Sequence, residues 1–163
     1  GDYMKTAKCL IGAIVGALGA VSVNAQQMNL DGYKFVGNTL ENGRELKQGE
    51  GIRSPQGKHV AVLQKDGNFC LYQLDPQNAN RGNFVKCTMT VGADDKKGTR
   101  LTMQADGNLA LYNAKNAHLW STDTYRGGND KQGGRLIMYD DGNLVLVSKS
   151  EKAIWSFQKG RMY

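Results

Sequence analysis

"LTMQADGNLALYN", Leu101 to Asn113, decides the fold, because its strand register can be worked out and because its centre recurs. Asp-Gly-Asn returns in "VLQKDGNFCLYQ" (Val62 to Gln73) and in "IMYDDGNLVLVS" (Ile137 to Ser148). A two-residue Asp-Gly turn is the common hairpin solution. It pairs Ala105 with Asn108, Gln104 with Leu109 and Met103 with Ala110, which mixes polar and apolar groups on both faces. A three-residue loop, Ala105-Asp106-Gly107, places Gly107 in the left-handed conformation. It pairs Gln104 with Asn108, Met103 with Leu109, Thr102 with Ala110 and Leu101 with Leu111. Leu101, Met103, Leu109 and Leu111 then share one face, and Gln104, Asn108, Ala110 and Tyr112 the other. A slip of one residue would exchange the faces, so the separation selects the register.

The same register sorts the other copies. In the first, Ala61, Leu63, Phe69 and Leu71 face inward and Gln64, Asn68, Cys70 and Tyr72 outward. In the third, Leu136, Met138, Leu144 and Leu146 face inward and Tyr139, Asn143, Val145 and Val147 outward. Downstream lie "HLWST" (118–122) and "AIWSF" (153–157), and after the first copy "FVKCT" (84–88). We place Cys87 where the others have Trp120 and Trp155. The unit is a hairpin plus one further strand, made three times. A first strand or two is expected in "GYKFVGNTLENGRELKQGEGIRSP" (32–55). No helical period survives beyond the N-terminus, so the class is all-β. An isolated hairpin cannot bury its apolar face. Three of them can do so around a shared axis filled by Trp120 and Trp155, giving a three-sided prism of small antiparallel sheets.

The first 25 residues are set apart. Lys5 and Lys8, the apolar run Cys9 to Val21 and the small-x-small "VNA" ending at Ala25 form a secretory signal. The Gly-Asp-Tyr before Met4 is an upstream extension. The expected division is therefore 1–25 signal peptide and 26–163 one domain. The expected location is secreted or periplasmic, with no stable membrane insertion after cleavage, since the apolar run is shorter than a bilayer span. Composition agrees with a folded domain, at 40% hydrophobic and 22% charged. The net charge of +6 is diffuse, without a Lys/Arg run, which argues against nucleic acid as partner.

Gln104, Asp106, Asn108 and Tyr112 converge around the small Ala110 on the outer face. Carboxylate, amide and phenol groups together donate to and accept from hydroxyls, and Ala110 offers an apolar contact. That set suits a polyhydroxylated ring better than an anion. One copy alone reads as an ordinary Asp-Gly hairpin; three copies with the same surroundings do not. The pattern Q-x-D-x-N-x-(small apolar)-x-Y resembles the signature of the bulb-type, or monocot mannose-binding, lectins, over roughly residues 31–158. The resemblance implies a β-prism II fold, a bacterial member of that family, and recognition of mannose-containing glycans or surface polysaccharide with no metal or cofactor. It implies that Asp106 and Asn108 bind a 2-hydroxyl, Gln104 a 3-hydroxyl and Tyr112 a 4-hydroxyl, with Ala110 in apolar contact. The first copy keeps Gln64, Asp66, Asn68 and Tyr72 but carries Cys70 at the apolar position. The third keeps Asp141, Asn143 and Val145 but has Tyr139 and Val147 for Gln and Tyr, so it is degenerate. The sites rank second, first, third. Homodimerisation by exchange of the C-terminal strand, in "SFQKGRMY" (156–163), is also implied.

In an oxidising compartment Cys70 and Cys87 are the remaining pair once Cys9 leaves with the signal, so a disulfide between them is expected. In our register Cys70 points outward and Cys87 inward. Either the long insertion "QLDPQNANRGNFVK" (73–86) shifts the register, or the disulfide does not form. His59 and His118 lack metal-ligand partners at useful spacing, and Asp140 and Asp141 sit on a turn. We therefore expect no enzyme. Two rivals to a mannose-type lectin remain: a lectin-like bacteriocin acting through surface polysaccharide, and a structural protein on the same scaffold with silent sites.

Overall fold

The computed structural model describes residues 27–163; the signal-peptide assignment to 1–25 lies outside them. The described chain is built from fifteen short strands and one 3-10 turn, Asp94–Lys96. The three hairpins are β6 (His59–Leu63) with β7 (Phe69–Asp75), β9 (Arg100–Met103) with β10 (Leu109–Tyr112), and β12 (Gly133–Met138) with β13 (Leu144–Ser148). Each has its third strand: β8 (Asn78–Cys87), β11 (His118–Ser121) and β14 (Ala153–Ser156).

The expected register is the one formed. Met103 lies opposite Leu109, Thr102 opposite Ala110 and Leu101 opposite Leu111. The other two hairpins pair Leu63 with Phe69 and Met138 with Leu144. At the second loop the Gly107 amide donates to Gln104 (2.9 Å) and the Gln104 amide to Asn108 (2.9 Å). The loop glycines Gly67, Gly107 and Gly142 take φ of +93°, +97° and +93°. Any L-residue there is strained, and a Cβ on Gly107 would sit 2.6 Å from the Gly133 nitrogen. The reason is that each loop leans on the next sheet: the Gly98 amide donates to Gly67 (3.1 Å) and the Gly133 amide to Gly107 (2.9 Å). The third loop receives the Gln56 amide on the Asp140 carboxylate at 2.9 Å.

The segment before the first hairpin holds more than the one or two strands expected. β3 (Thr39–Glu41), β4 (Glu45–Lys47) and β5 (Glu50–Arg53) each join a different sheet, pairing with β12, β9 and β6 in turn. Each brings one apolar side chain to the axis: Leu40, Leu46 and Ile52, all within 2% of full burial. Two more strands, β1 (Gln27–Asn29) and β2 (Lys34–Phe35), close the two edges of the first sheet, against β8 and β5. β15 (Gly160–Arg161) lies on β14 of its own chain.

The inward faces make one core from all three sheets, including Phe69, Leu71, Met103, Leu111, Met138, Leu146 and Trp155. The alignment of Cys87 with the tryptophans is corrected. Trp120 and Trp155 lie opposite Leu111 and Leu146, and the residue opposite Leu71 is Lys86. Cys87 matches Ser121 and Ser156 instead and faces outward, directly opposite Cys70. No register shift is needed, and the Cys70–Cys87 disulfide forms across β7 and β8 with a Cα separation of 4.1 Å. Phe157 supplies the ring that the first repeat lacks at the axis. Its centroid is 5.8 Å from Trp155, 5.9 Å from Phe69 and 6.4 Å from Trp120. The Lys86 ammonium caps this cluster, 5.3 Å from the Phe157 ring and donating to the Phe157 carbonyl at 2.6 Å.

Candidate binding site

The three outer faces are not alike. On the second sheet, Gln104 is half-buried, Asp106 exposed, Asn108 buried, Ala110 fully buried and Tyr112 half-buried. β9 and β10 place Gln104, Ala110 and Tyr112 on one face, and the loop places Asp106 above them. The Asp106 carboxylate accepts from the Asn108 backbone N–H at 2.9 Å through one oxygen, leaving the other as an acceptor. The Asn108 side-chain carbonyl is held by the Thr124 amide (3.3 Å) and the Thr122 hydroxyl (3.4 Å), which leaves its NH2 as a donor. Gln104 donates to the Tyr112 hydroxyl, so its own carbonyl remains an acceptor and the phenol a donor. Two acceptors and two donors therefore gather on the outer side of Ala110, whose own surface is covered. Arg100, opposite Tyr112, covers a face of that ring at 4.5 Å, and His118 meets it edge-on at 5.9 Å.

The first sheet brings the same residue types together but covers them. Gln64 is 3% exposed, and Asn68 and Tyr72 are 0% exposed, so this face is closed to solvent. The cover is a strap of the chain's own N-terminal part: Met28, Leu30, Tyr33 and Phe35 pack with Val60, Val62, Tyr72 and the disulfide. Beneath it the polar groups satisfy one another. Tyr72 donates to the Gln64 carbonyl, and Gln64 donates to the Asp66 carboxylate at 3.1 Å. Tyr33 is bonded to the backbone of Lys65, on the hairpin loop itself. Burial raises the Tyr33 phenol pKa, that bond opposes the shift, and the Asp66 carboxylate adds to it.

On the third sheet Asn143 is exposed; its backbone and side-chain N–H groups donate to Asp141 at 2.9 and 3.0 Å, and among the described residues no other partner holds its side chain. Tyr139 is 41% exposed, Val145 is half-buried, and Val147 lies buried where the second sheet has Tyr112.

One element went unread in the sequence: a Thr-x-Thr after the third strand of copies one and two. Thr88 and Thr90 hold the Asn68 carbonyl and the Gly67 carbonyl as Thr122 and Thr124 hold Asn108 and Gly107. The middle residues, Met89 and Asp123, both take positive φ, +69° and +58°. The third copy has Phe157 at the first threonine's position; its amide bonds Leu144 as the Thr122 amide bonds Leu109. The ring turned to the axis is thus the reason Asn143 has no threonine to hold it. The signal was present in "CTMT" (87–90) and "STDT" (121–124).

Three small sheets about a common axis, with one outer face offering amide, carboxylate and phenol groups, define a β-prism II lectin. No protein-family model matches the chain. It is 37% identical over 90 residues to the B-type lectin plumieribetin of Scorpaena plumieri, covering 55% of this chain and 70% of that one. It is 35% identical over 79 residues to a mannose-specific lectin of Narcissus tazetta, spanning about half of that protein's length. Among solved structures, the mannose-specific agglutinin of snowdrop, complexed with methyl α-D-mannoside, matches at 30% identity and a TM-score of 0.55. That match covers 68% of this chain and 89% of the snowdrop one. A Marasmius oreades lectin matches at 25% identity and 0.61, covering 77% and 94%. The chain belongs to the bulb-type, or B-type, lectin family.

Proposed function

We propose that this protein is an exported bacterial lectin that binds mannose-type glycans without catalysis, through Gln104, Asp106, Asn108, Ala110 and Tyr112. The carrying observation is the contrast between the sheets. On the second, two donors and two acceptors around Ala110 have, among the described residues, no partner for their remaining capacity. On the first, the matching groups are spent on one another under the strap. A ring with hydroxyls on one edge and C–H groups beneath satisfies the second set. Such a shallow site binds weakly, with a dissociation constant of about a millimolar, so avidity comes from repeated glycans or from a dimer. Exchange of β15 would give that dimer by replacing its pairing with β14 of its own chain by the same pairing with a partner.

Titration with methyl α-mannoside, followed by amide shifts, tests the reading. Residues 104–112 should respond in the unaltered protein, and Asp106→Ala should abolish the response while the remaining spectrum stays folded. No response to any mannoside at tens of millimolar refutes it. Intact mass of protein recovered outside the cell tests export: a mass lacking residues through Ala25 is expected, and one that retains Met4 to Ala25 refutes cleavage.

A further inference from the structure

We infer that Asp123 is a specificity-determining residue of the second-sheet site, placing a second carboxylate there that favours amino sugars and disfavours acidic ones. The inference rests on the reading of that face as a sugar site.

Asp123 is the middle residue of Thr122-Asp123-Thr124, the segment that holds Asn108. Its carboxylate accepts a hydrogen bond from the Ser121 hydroxyl at 3.0 Å. Ser121 lies directly opposite Ala110, on the same outward face as the floor of the site. The carboxylate is thereby held by the residue opposite Ala110, with Asp106, bonded to the Asn108 backbone, as its companion. The equivalent residue of the first copy is Met89, and its side chain packs on the outer face of that sheet, against the cluster that includes Cys70 and Cys87. The two backbones match in their left-handed conformation, so the direction is a property of the repeat rather than of one side chain. Where the first face carries a thioether under its strap, the second carries an exposed charge.

Among the described residues neither Asp106 nor Asp123 forms an ion pair. Three cations border the site, but none is paired with either carboxylate. Arg161 donates to the Asp123 backbone carbonyl (3.2 Å), Lys149 donates to the Ala105 carbonyl (2.8 Å), and Arg100 lies over the Tyr112 ring (4.5 Å) and 3.7 Å from Glu45. A sugar at this face therefore meets two carboxylates that no cation is paired with. An ammonium group on the ring is attracted and a carboxylate repelled. For a ligand charge about 6 Å from Asp123 in an aqueous dielectric, one unit changes affinity roughly threefold. Between ligands of opposite sign the effect is about tenfold, and salt weakens it.

The experiment compares mannosamine and mannuronate, each referenced to methyl α-mannoside on the same protein, by titration at low ionic strength. Asp123→Asn keeps the shape and the hydrogen-bond acceptor, and asparagine tolerates left-handed φ. The ratio of mannosamine to mannuronate affinity should fall about tenfold in Asp123→Asn relative to the unaltered protein. Asp31→Asn, an equal charge change in the exposed loop after β1, should leave it in place. An unchanged preference in Asp123→Asn with intact mannoside binding overturns this inference alone. Failure of the unaltered protein to bind any mannoside overturns the lectin reading and this inference together.

Discussion

Replacing Thr122 with valine separates what holds the second hairpin from what holds the first. Valine keeps the shape and removes the hydroxyl of a residue only 5% exposed. Three hydrogen bonds are lost: from the Leu109 amide (3.2 Å), to the Asn108 side chain (3.4 Å) and with the Thr124 hydroxyl (2.7 Å). The Leu109 amide points at this strand edge, where its carbonyl receives the Thr122 amide, so it is left buried without a partner. That costs about 1–3 kcal/mol. At roughly 3–4 °C per kcal/mol for a domain of this size, the melting temperature falls by about 3–12 °C. Thr88→Val removes the matching bonds from Phe69 and to Asn68, and should cost about as much in stability. Only the first substitution should touch sugar binding. Asn108 keeps the Thr124 amide but loses its second restraint, an effect of about 1 kcal/mol or fivefold in affinity. Thermal unfolding by circular dichroism and titration with methyl α-mannoside on both variants give the answer. Equal loss of affinity in Thr88→Val would refute the reasoning, as would unaltered affinity in a destabilised Thr122→Val.

Replacing Cys70 and Cys87 together with alanine should lower unfolding free energy by about 3 kcal/mol for a closed loop of this span, read as a shifted urea midpoint, with binding on the second sheet kept. The Asp130 carboxylate is held below the usual carboxylate range by its hydrogen bonds to Lys152 and Ser150 and by the lysine's charge. A lowered folded value means that the interaction is present at neutral pH and is lost as pH falls through that value; Lys152→Ala should move the carboxyl resonance titration upward. Light scattering at high concentration should show dimers that truncation before Gly160 converts to monomers; monomers only, in the full chain, would count against strand exchange.

The hairpin register was readable because only the three-residue loop sorts Leu101, Met103, Leu109 and Leu111 from Gln104, Asn108 and Tyr112. The inward tryptophans were readable from bulk alone. The three strands from Thr39 to Arg53 were not, since each is three or four residues long with a single apolar side chain at the axis. Their trace is nonetheless there: Leu40, Leu46 and Ile52 stand six residues apart. The disulfide puzzle came from setting Cys87 against tryptophan rather than against Ser121 and Ser156, one position out. The covering of the first face was hidden for a different reason. Nothing in Gln64, Asp66, Asn68 and Tyr72 tells whether a ligand or the chain itself will satisfy them; the decision lies some thirty residues upstream, in Leu30, Tyr33 and Phe35.

The strap over the first sheet also bears on valency. If the second hairpin alone takes sugar, a monomer can coat a glycan surface but cannot bridge two of them. Cross-linking of cells would then need two copies of the chain, and any agglutination should rise with the square of protein concentration where dimers are scarce, while simple adsorption rises in proportion.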